Sequence, residues 1–172
     1  MNHRDTENTE RPRKGIRFLV LSVSLWLILS PLAVSDDTPE QLRSKLAMET
    51  DLVRKARLAA RLAVMEFDQA RKDYSGGDAD KGAAGLAEMM AHIELSNSSL
   101  KETKRNPRKN PSGFKDIEIK LRALNRRLDD LRASLPLDER PPVEKMVSRV
   151  TEIVEDLLHG LMNTAKGKKG FL

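Results

Sequence analysis

Cysteine is absent from this sequence, aromatic residues make up only 3%, and glycine and proline number nine and eight in 172 residues. Without cysteine there is no disulfide, no thiolate zinc ligand, no thiolate nucleophile and no lipid attachment at an N-terminal cysteine. So few aromatics argue against a β-sandwich or barrel, whose strands favour them. Glycine and proline are too sparse for collagen or for a Pro/Gly-rich disordered chain. Nucleophile elbows and Ser/His/Asp arrangements are missing too, and the Gly76-Gly77 and Gly82/Gly85 pairs lack the strand and lysine of a phosphate loop. With no catalytic motif, the sequence predicts a protein that is not an enzyme and needs no cofactor.

What the chain has is charge. Lys and Arg number 31 against 26 Asp and Glu, a formal net charge of +5. The first 35 residues are organised differently from the rest. Arg11, Arg13, Lys14 and Arg17 precede an uncharged run from Phe18 to Val34, which Ala33-Val34-Ser35 closes with small residues at the −3 and −1 positions of a cut before Asp36. This is the layout of a secretory signal peptide. The run has 17 residues, at the lower limit of about 17–25 for a membrane span, and Pro31 suits a cleavage region better than a continuous helix. The alternative is an uncleaved anchor, with residues 18–34 in the inner membrane and the basic end in the cytoplasm. Either way residues 36–172 are exported, to the periplasm or beyond. They are numerous enough to bury one core without disulfides.

Four stretches with helical spacing follow. Thr38-Pro39-Glu40-Gln41 reads as a capping box with proline at the first helical position. From there the seam Leu42, Leu46, Glu49, Val53, Ala56, Ala60, Ala63, Phe67, Ala70, Tyr74 predicts one helix over residues 39–75, about 55 Å long at 1.5 Å per residue. Ser75-Gly76-Gly77-Asp78 ends it and caps the next. The second seam is Ala79, Ala83, Leu86, Met90, Ile93, Asn97, Leu100. The third is Phe114, Ile117, Leu121, Leu124, Leu128, Leu131, Leu135. The fourth is Val143, Val147, Val150, Val154, Leu157, Leu161, with Pro141 and Pro142 suited to its first turn. The expected fold is all-α: an antiparallel four-helix bundle over residues 36–163 with coiled-coil-like seams and a long first helix, preceded by the leader and followed by a disordered basic tail at 164–172. The first helix would overhang its shorter partners and present Leu42 and Leu46 to a protein partner or a second copy.

Three sets of residues could carry function. Lys104, Arg105, Arg108, Lys109 and Lys115 cluster around a stiff loop with two prolines, and Arg122 and Arg126 extend the charge along the third helix. Such a patch suits phosphate or carboxylate groups of an anionic envelope component. It lacks the interleaved aromatics of a single-stranded nucleic-acid site, and export argues against nucleic acid as well. Membrane contact is expected only through the N-terminal segment, if that is retained. The second set is Leu42 and Leu46. The third is an alternative metal reading: Glu88 with His92, and Asp156 with His159, set a carboxylate and an imidazole one turn apart on two helices. Met90 beside His92 falls on the apolar seam, where packing accounts for it. Asn97 interrupts its seam either as a register-setting polar contact or at a frayed helix end. The function expected is non-catalytic binding in the cell envelope, with a metal-binding bundle as the alternative.

The runs Lys109-Asn110-Pro111, Phe114-Lys115, Glu118-Ile119-Lys120-Leu121-Arg122, Arg126-Arg127-Leu128-Asp129-Asp130, Asp138-Glu139-Arg140-Pro141-Pro142-Val143 and Leu157-Leu158-His159-Gly160-Leu161-Met162 resemble a family of exported bacterial all-helical proteins that has no assigned activity. The likeness covers roughly residues 68–162. It implies export and a helical domain, and no site. Tyr74-Ser75-Gly76-Gly77-Asp78 is similar to the turn of one tetratricopeptide unit, but such arrays need about three stacked repeats and no second copy is present.

Overall fold

A computed structural model describes residues 38–162 of the chain. The expected leader or anchor at 1–35 and the tail at 164–172 lie outside the described residues. Within them the protein is all-helical, with helices α1 (Pro39–Met48), α2 (Leu52–Ser75), α3 (Ala79–Glu102), α4 (Phe114–Ser134) and α5 (Arg140–Met162) and no strand. None of these helices is long and apolar enough to cross a membrane.

The start of α1 forms the capping box its sequence announces. Thr38 Oγ1 accepts from the Gln41 amide and Gln41 Oε1 accepts from the Thr38 amide. The single long helix expected over residues 39–75 is not formed: it is two helices. Glu49 turns extended, and Asp51 caps α2 by accepting from the Arg54 amide at 2.8 Å. The Glu49 carboxylate, out of place on an apolar seam, accepts from the Asp51 amide at 2.9 Å and pairs with Arg54 at 3.2 Å. With the chain broken there, α1 folds back along α2. Leu42 and Leu46 are then buried at 0% and 8% exposure against Ala59 and Leu62, with Leu58, Met65 and Leu95 around them. Burying each leucine is worth about 1.5–3 kcal/mol, which an unpartnered overhang would forgo. The exposed apolar overhang expected of Leu42 and Leu46 is therefore absent from this chain.

Helices α2 and α3 form a tight hairpin. Gly77 takes a left-handed φ of 83°, and the Gly77 and Asp78 amides donate back to the Tyr74 and Asp73 carbonyls, the Schellman pattern. Asp78 then caps α3. Small side chains let the two helices approach closely: Ala56, Ala59, Ala60, Ala63 and Ala70 on one side, Gly82, Ser96 and Ser99 on the other, all buried. Ser96 Oγ donates across to the Ala56 carbonyl at 2.9 Å. This face also shifts the register of α3. Met89, not Met90, is fully buried, and Ala83 is exposed. Asn97 is 3% exposed and well inside the helix, which rules out the frayed end; its Oδ1 has no partner.

Helices α4 and α5 form a second hairpin. The whole α4 seam from Phe114 to Leu135 is buried, as its spacing requires. Arg140 closes the turn by donating to the Leu135 and Ala133 carbonyls. The hairpins lie side by side in the same sense. Arg57 meets Asp116 at 2.7 Å and Asp68 meets Arg127, so α2 runs parallel to α4. Glu94 meets Arg149 at 2.6 Å and Lys101 meets Asp156 at 3.5 Å, so α3 runs parallel to α5. Phe67, Leu86, Ile93, Leu121, Leu128 and Ile153 fill the space between them. The guanidinium of Arg127 lies 4.8 Å from the Phe67 ring centroid. The segment 103–113 crosses the end where α3 finishes and α4 begins. Its second residue, Lys104, takes a left-handed φ of 53°.

Three substitutions separate these effects. A Cβ on Gly82 would lie 2.5 Å from the Tyr74 ring, whereas one on Gly85 would meet the Ala70 Cβ at 3.0 Å. Gly82→Ala is expected to lower stability by about 1–3 kcal/mol through overpacking, while Gly85→Ala stays within about 1 kcal/mol because added helix propensity offsets the tighter contact. Lys104→Gly is expected to stabilise by up to about 1 kcal/mol, by relieving a backbone conformation that favours glycine. Urea denaturation of the three variants measures all of these differences.

Candidate functional site

The basic residues foreseen from the sequence are dispersed into three settings. Lys104, Arg105, Arg108 and Lys109 are exposed on the crossing segment, and Lys115 is exposed on the first turn of α4. Arg122 is bound to Glu118, a carboxylate only 3% exposed, so its charge is largely answered within the helix. Arg126 is exposed farther along α4.

The structure brings two of the seven, Arg105 and Lys109, together with Arg54 and Arg57 around a groove of about 680 Å³. Asp51, Val53, Asn110, Pro111, Ser112, Gly113 and Phe114 complete its walls. The groove exists because the hairpins are parallel: α2 and α4 both begin at this end, and the chain must pass across it to reach α4. Asn106 shapes that passage by accepting from the Arg108 and Lys109 amides. Arg57 donates to Ser112 at 2.9 Å and to Asp116 at 2.7 Å, which fixes its guanidinium at the groove edge. The Asp51 carboxyl is held below its usual range, first by the hydrogen bond from the Arg54 amide and then by the charges of Arg54 and Arg105. Gly113, before α4, offers no side-chain cap, and the Lys115 amide of the first turn donates to the Pro111 carbonyl. Chemically, the lining sets four cations beside one carboxylate, Asp51.

The metal quartet does not assemble. Asp156 pairs with Lys101, which places it two and a half turns of α3 away from His92. His159 is exposed on the last turn of α5. Glu88 answers Arg43 at 2.8 Å. Among the described residues no three His, Asp or Glu side chains are grouped so as to hold a metal ion. The spacing that suggested the quartet set each pair on a helix surface, but the two surfaces are turned to different neighbours.

His92 is instead part of an arrangement the sequence did not announce. Glu66 of α2 is 6% exposed; its Oε1 accepts from Arg43 of α1 at 3.1 Å, and its Oε2 lies 2.7 Å from His92 Nδ1. That nitrogen also lies 3.1 Å from the Glu88 carbonyl. Both neighbours are acceptors, so Nδ1 carries a proton and Nε2 is the nitrogen that titrates. The His92 pKa is raised, chiefly by the hydrogen bond to Glu66; burial and the charge of Arg43 oppose the rise. Arg43 in turn bridges to Glu88, joining α1, α2 and α3. No nucleophilic side chain contacts His92 among the described residues, and the cluster acts as a clamp that holds α1 in place.

The clamp has a defined pH dependence. Because folding raises the His92 pKa, the stability it contributes is complete below the ordinary value of about 6.5 and is lost as pH rises through the higher folded value. The urea midpoint is expected to fall between pH 6 and pH 8, and His92→Gln is expected to flatten that fall while lowering stability at pH 6. An unchanged slope in the variant would locate the pH dependence elsewhere.

No family model, curated protein or solved structure matches this chain, and the groove beside Arg54, Arg57, Arg105 and Lys109 is therefore read from its own chemistry.

Proposed function

We propose that this is an exported, non-catalytic binding protein that captures an anionic component of the cell envelope in the groove between α2, α4 and the segment 103–113. The observation that carries the reading is the convergence of Arg54, Arg57, Arg105 and Lys109 on one concave surface. Arg105 and Lys109 make no close ion pair with the described residues, so their charge is available to a ligand. Guanidinium groups suit phosphate and carboxylate because their N–H donors match two oxygens at once.

Export rests on the basic, apolar and small-residue order of residues 1–35, with cleavage before Asp36; retention as an inner-membrane anchor is the alternative. In the finer description of the fold, α2 to α5 make a four-helix bundle of two antiparallel hairpins, and α1 is a strap along it. The first turns of α2 are placed at the groove by the Asp51 cap and by the Arg57–Asp116 pair to α4. A groove lined by cations, with no nucleophile beside a base in it, suits binding better than turnover, which requires convergent acid, base or nucleophile groups.

Inorganic polyphosphate is the probe. Calorimetric titration of the full chain is expected to show binding that weakens with salt. Arg105→Gln with Lys109→Gln is expected to weaken it about tenfold or more, since each charge-assisted hydrogen bond is worth about 1.5–3 kcal/mol. Lys120→Gln, at an exposed position on α4, serves as the control and is expected to change little. Equal losses in both variants would mean a diffuse charge effect and no site.

A further inference from the structure

A second groove adjoins the first. It has a volume of about 540 Å³ and lies between the last turn of α1 and the first turns of α2, lined by Lys45, Met48, Glu49, Arg54, Leu58 and Arg61 together with Arg57. Its chemistry differs from that of its neighbour. Met48 is 83% exposed there, the largest exposure of any big apolar side chain among the described residues. Leu58 is half-buried beside it. The arginine and lysine stems supply further methylene surface while their heads reach the rim. Arg54 and Arg57 line both grooves. An apolar trough and a cationic, hydroxyl-bearing pocket thus meet along the same two guanidinium groups.

We propose that the two grooves form one site for an anionic amphiphile, a single acyl chain bearing a phosphate head. This deepens the anion-binding reading above and rests on it. The head would lie among Arg54, Arg57, Arg105, Lys109 and the Ser112 hydroxyl, and the chain along Met48 and Leu58. Arg54 and Arg57 are held by Glu49 and Asp116 and Asp51 lines the same groove, so the head group is met chiefly by Arg105 and Lys109, two cations that suit a phosphate with its several acceptor oxygens. Both volumes fall within the range of about 300–1,000 Å³ usual for small-molecule sites. The fold supports the division of labour. Met48 ends α1, and α1 is held by the buried Glu66 clamp and by Leu42 and Leu46, so the apolar wall has a fixed position relative to the cations.

Calorimetry on the full chain tests this with three ligands below micelle-forming concentration: lauroyl lysophosphatidylglycerol, lauroyl lysophosphatidylcholine and glycerol 1-phosphate. The acidic lipid is expected to bind at least tenfold more tightly than either of the others. Met48→Gln, a neutral change at a position exposed enough to leave folding intact, is expected to weaken the acidic lipid about tenfold without altering glycerol 1-phosphate or polyphosphate. Arg105→Gln with Lys109→Gln is expected to erase the preference between the two lipids. Equal binding of glycerol 1-phosphate and the acidic lipid, with Met48→Gln silent, overturns the amphiphile and leaves the anion site standing. Equal binding of the two lipids means adsorption to apolar surface and overturns it as well. Lipid binding insensitive to both variants places it elsewhere in the chain, the leader included, with the same consequence. Failure of polyphosphate and of all three ligands removes the anion site itself.

Discussion

A carboxylate taken out of water must be answered by cations or hydrogen-bond donors, because its desolvation otherwise costs several kcal/mol. Glu66 is in that position, and both of its oxygens are engaged: one by Arg43 of α1 and the other by His92 of α3. The polar contact fixes what the apolar contacts alone would leave loosely specified. Leu42 and Leu46 could slide along a stripe of alanines and leucines, but Arg43 meets Glu66 and Glu88 in only one register. Once α1 is fixed, the break at Glu49 and Asp51 is fixed as well, and so are Met48 and Arg54 on either side of it. The α1 wall of the apolar groove, Met48, therefore depends on a clamp that lies outside it.

How much of this the sequence disclosed depended on whether a residue's partner was near it in the chain. The seams of α4 and α5 were legible because leucines and valines at regular spacing have a single favourable burial. The capping box at Thr38 and the turn at Gly77 were legible for the same local reason. The break between α1 and α2 was missed because alternating spacing carries straight through Glu49, and the reward for breaking lies in Leu42 and Leu46 reaching Ala59 and Leu62. The register of α3 was misplaced by one residue at Met89 because Gly82, Ser96 and Ser99 belong to the buried face yet carry little hydrophobic signal.

The candidate site divides along the same line. Arg105 and Lys109 stood out as members of a cationic run. Arg54 and Arg57, about fifty residues earlier, did not, since only the parallel stacking of the hairpins brings the start of α2 beside the start of α4. Arg122 looked equivalent to them in sequence, but its neighbour Glu118 is buried and holds it. The metal quartet failed for a related reason. Spacing along a helix sets which side chains share a face, and it does not say which helix that face meets.

The parallel stacking also gives the molecule two unlike ends. At one, the short turns at 76–78 and 135–139 are bound by left-handed glycine, helix caps and the guanidinium of Arg140, so a change of length there would rotate one helix of a hairpin against the other. At the opposite end the path from α3 to α4 spans residues 103–113 and shapes one wall of the polar groove. Gly113 on that path is held against Val53, where a Cβ would lie at 2.5 Å, but Lys104, Arg105, Arg108 and Lys109 are exposed. One end of the protein is thus fixed by its turns, and the other carries the exposed positions at which descendants of this chain could acquire new ligands.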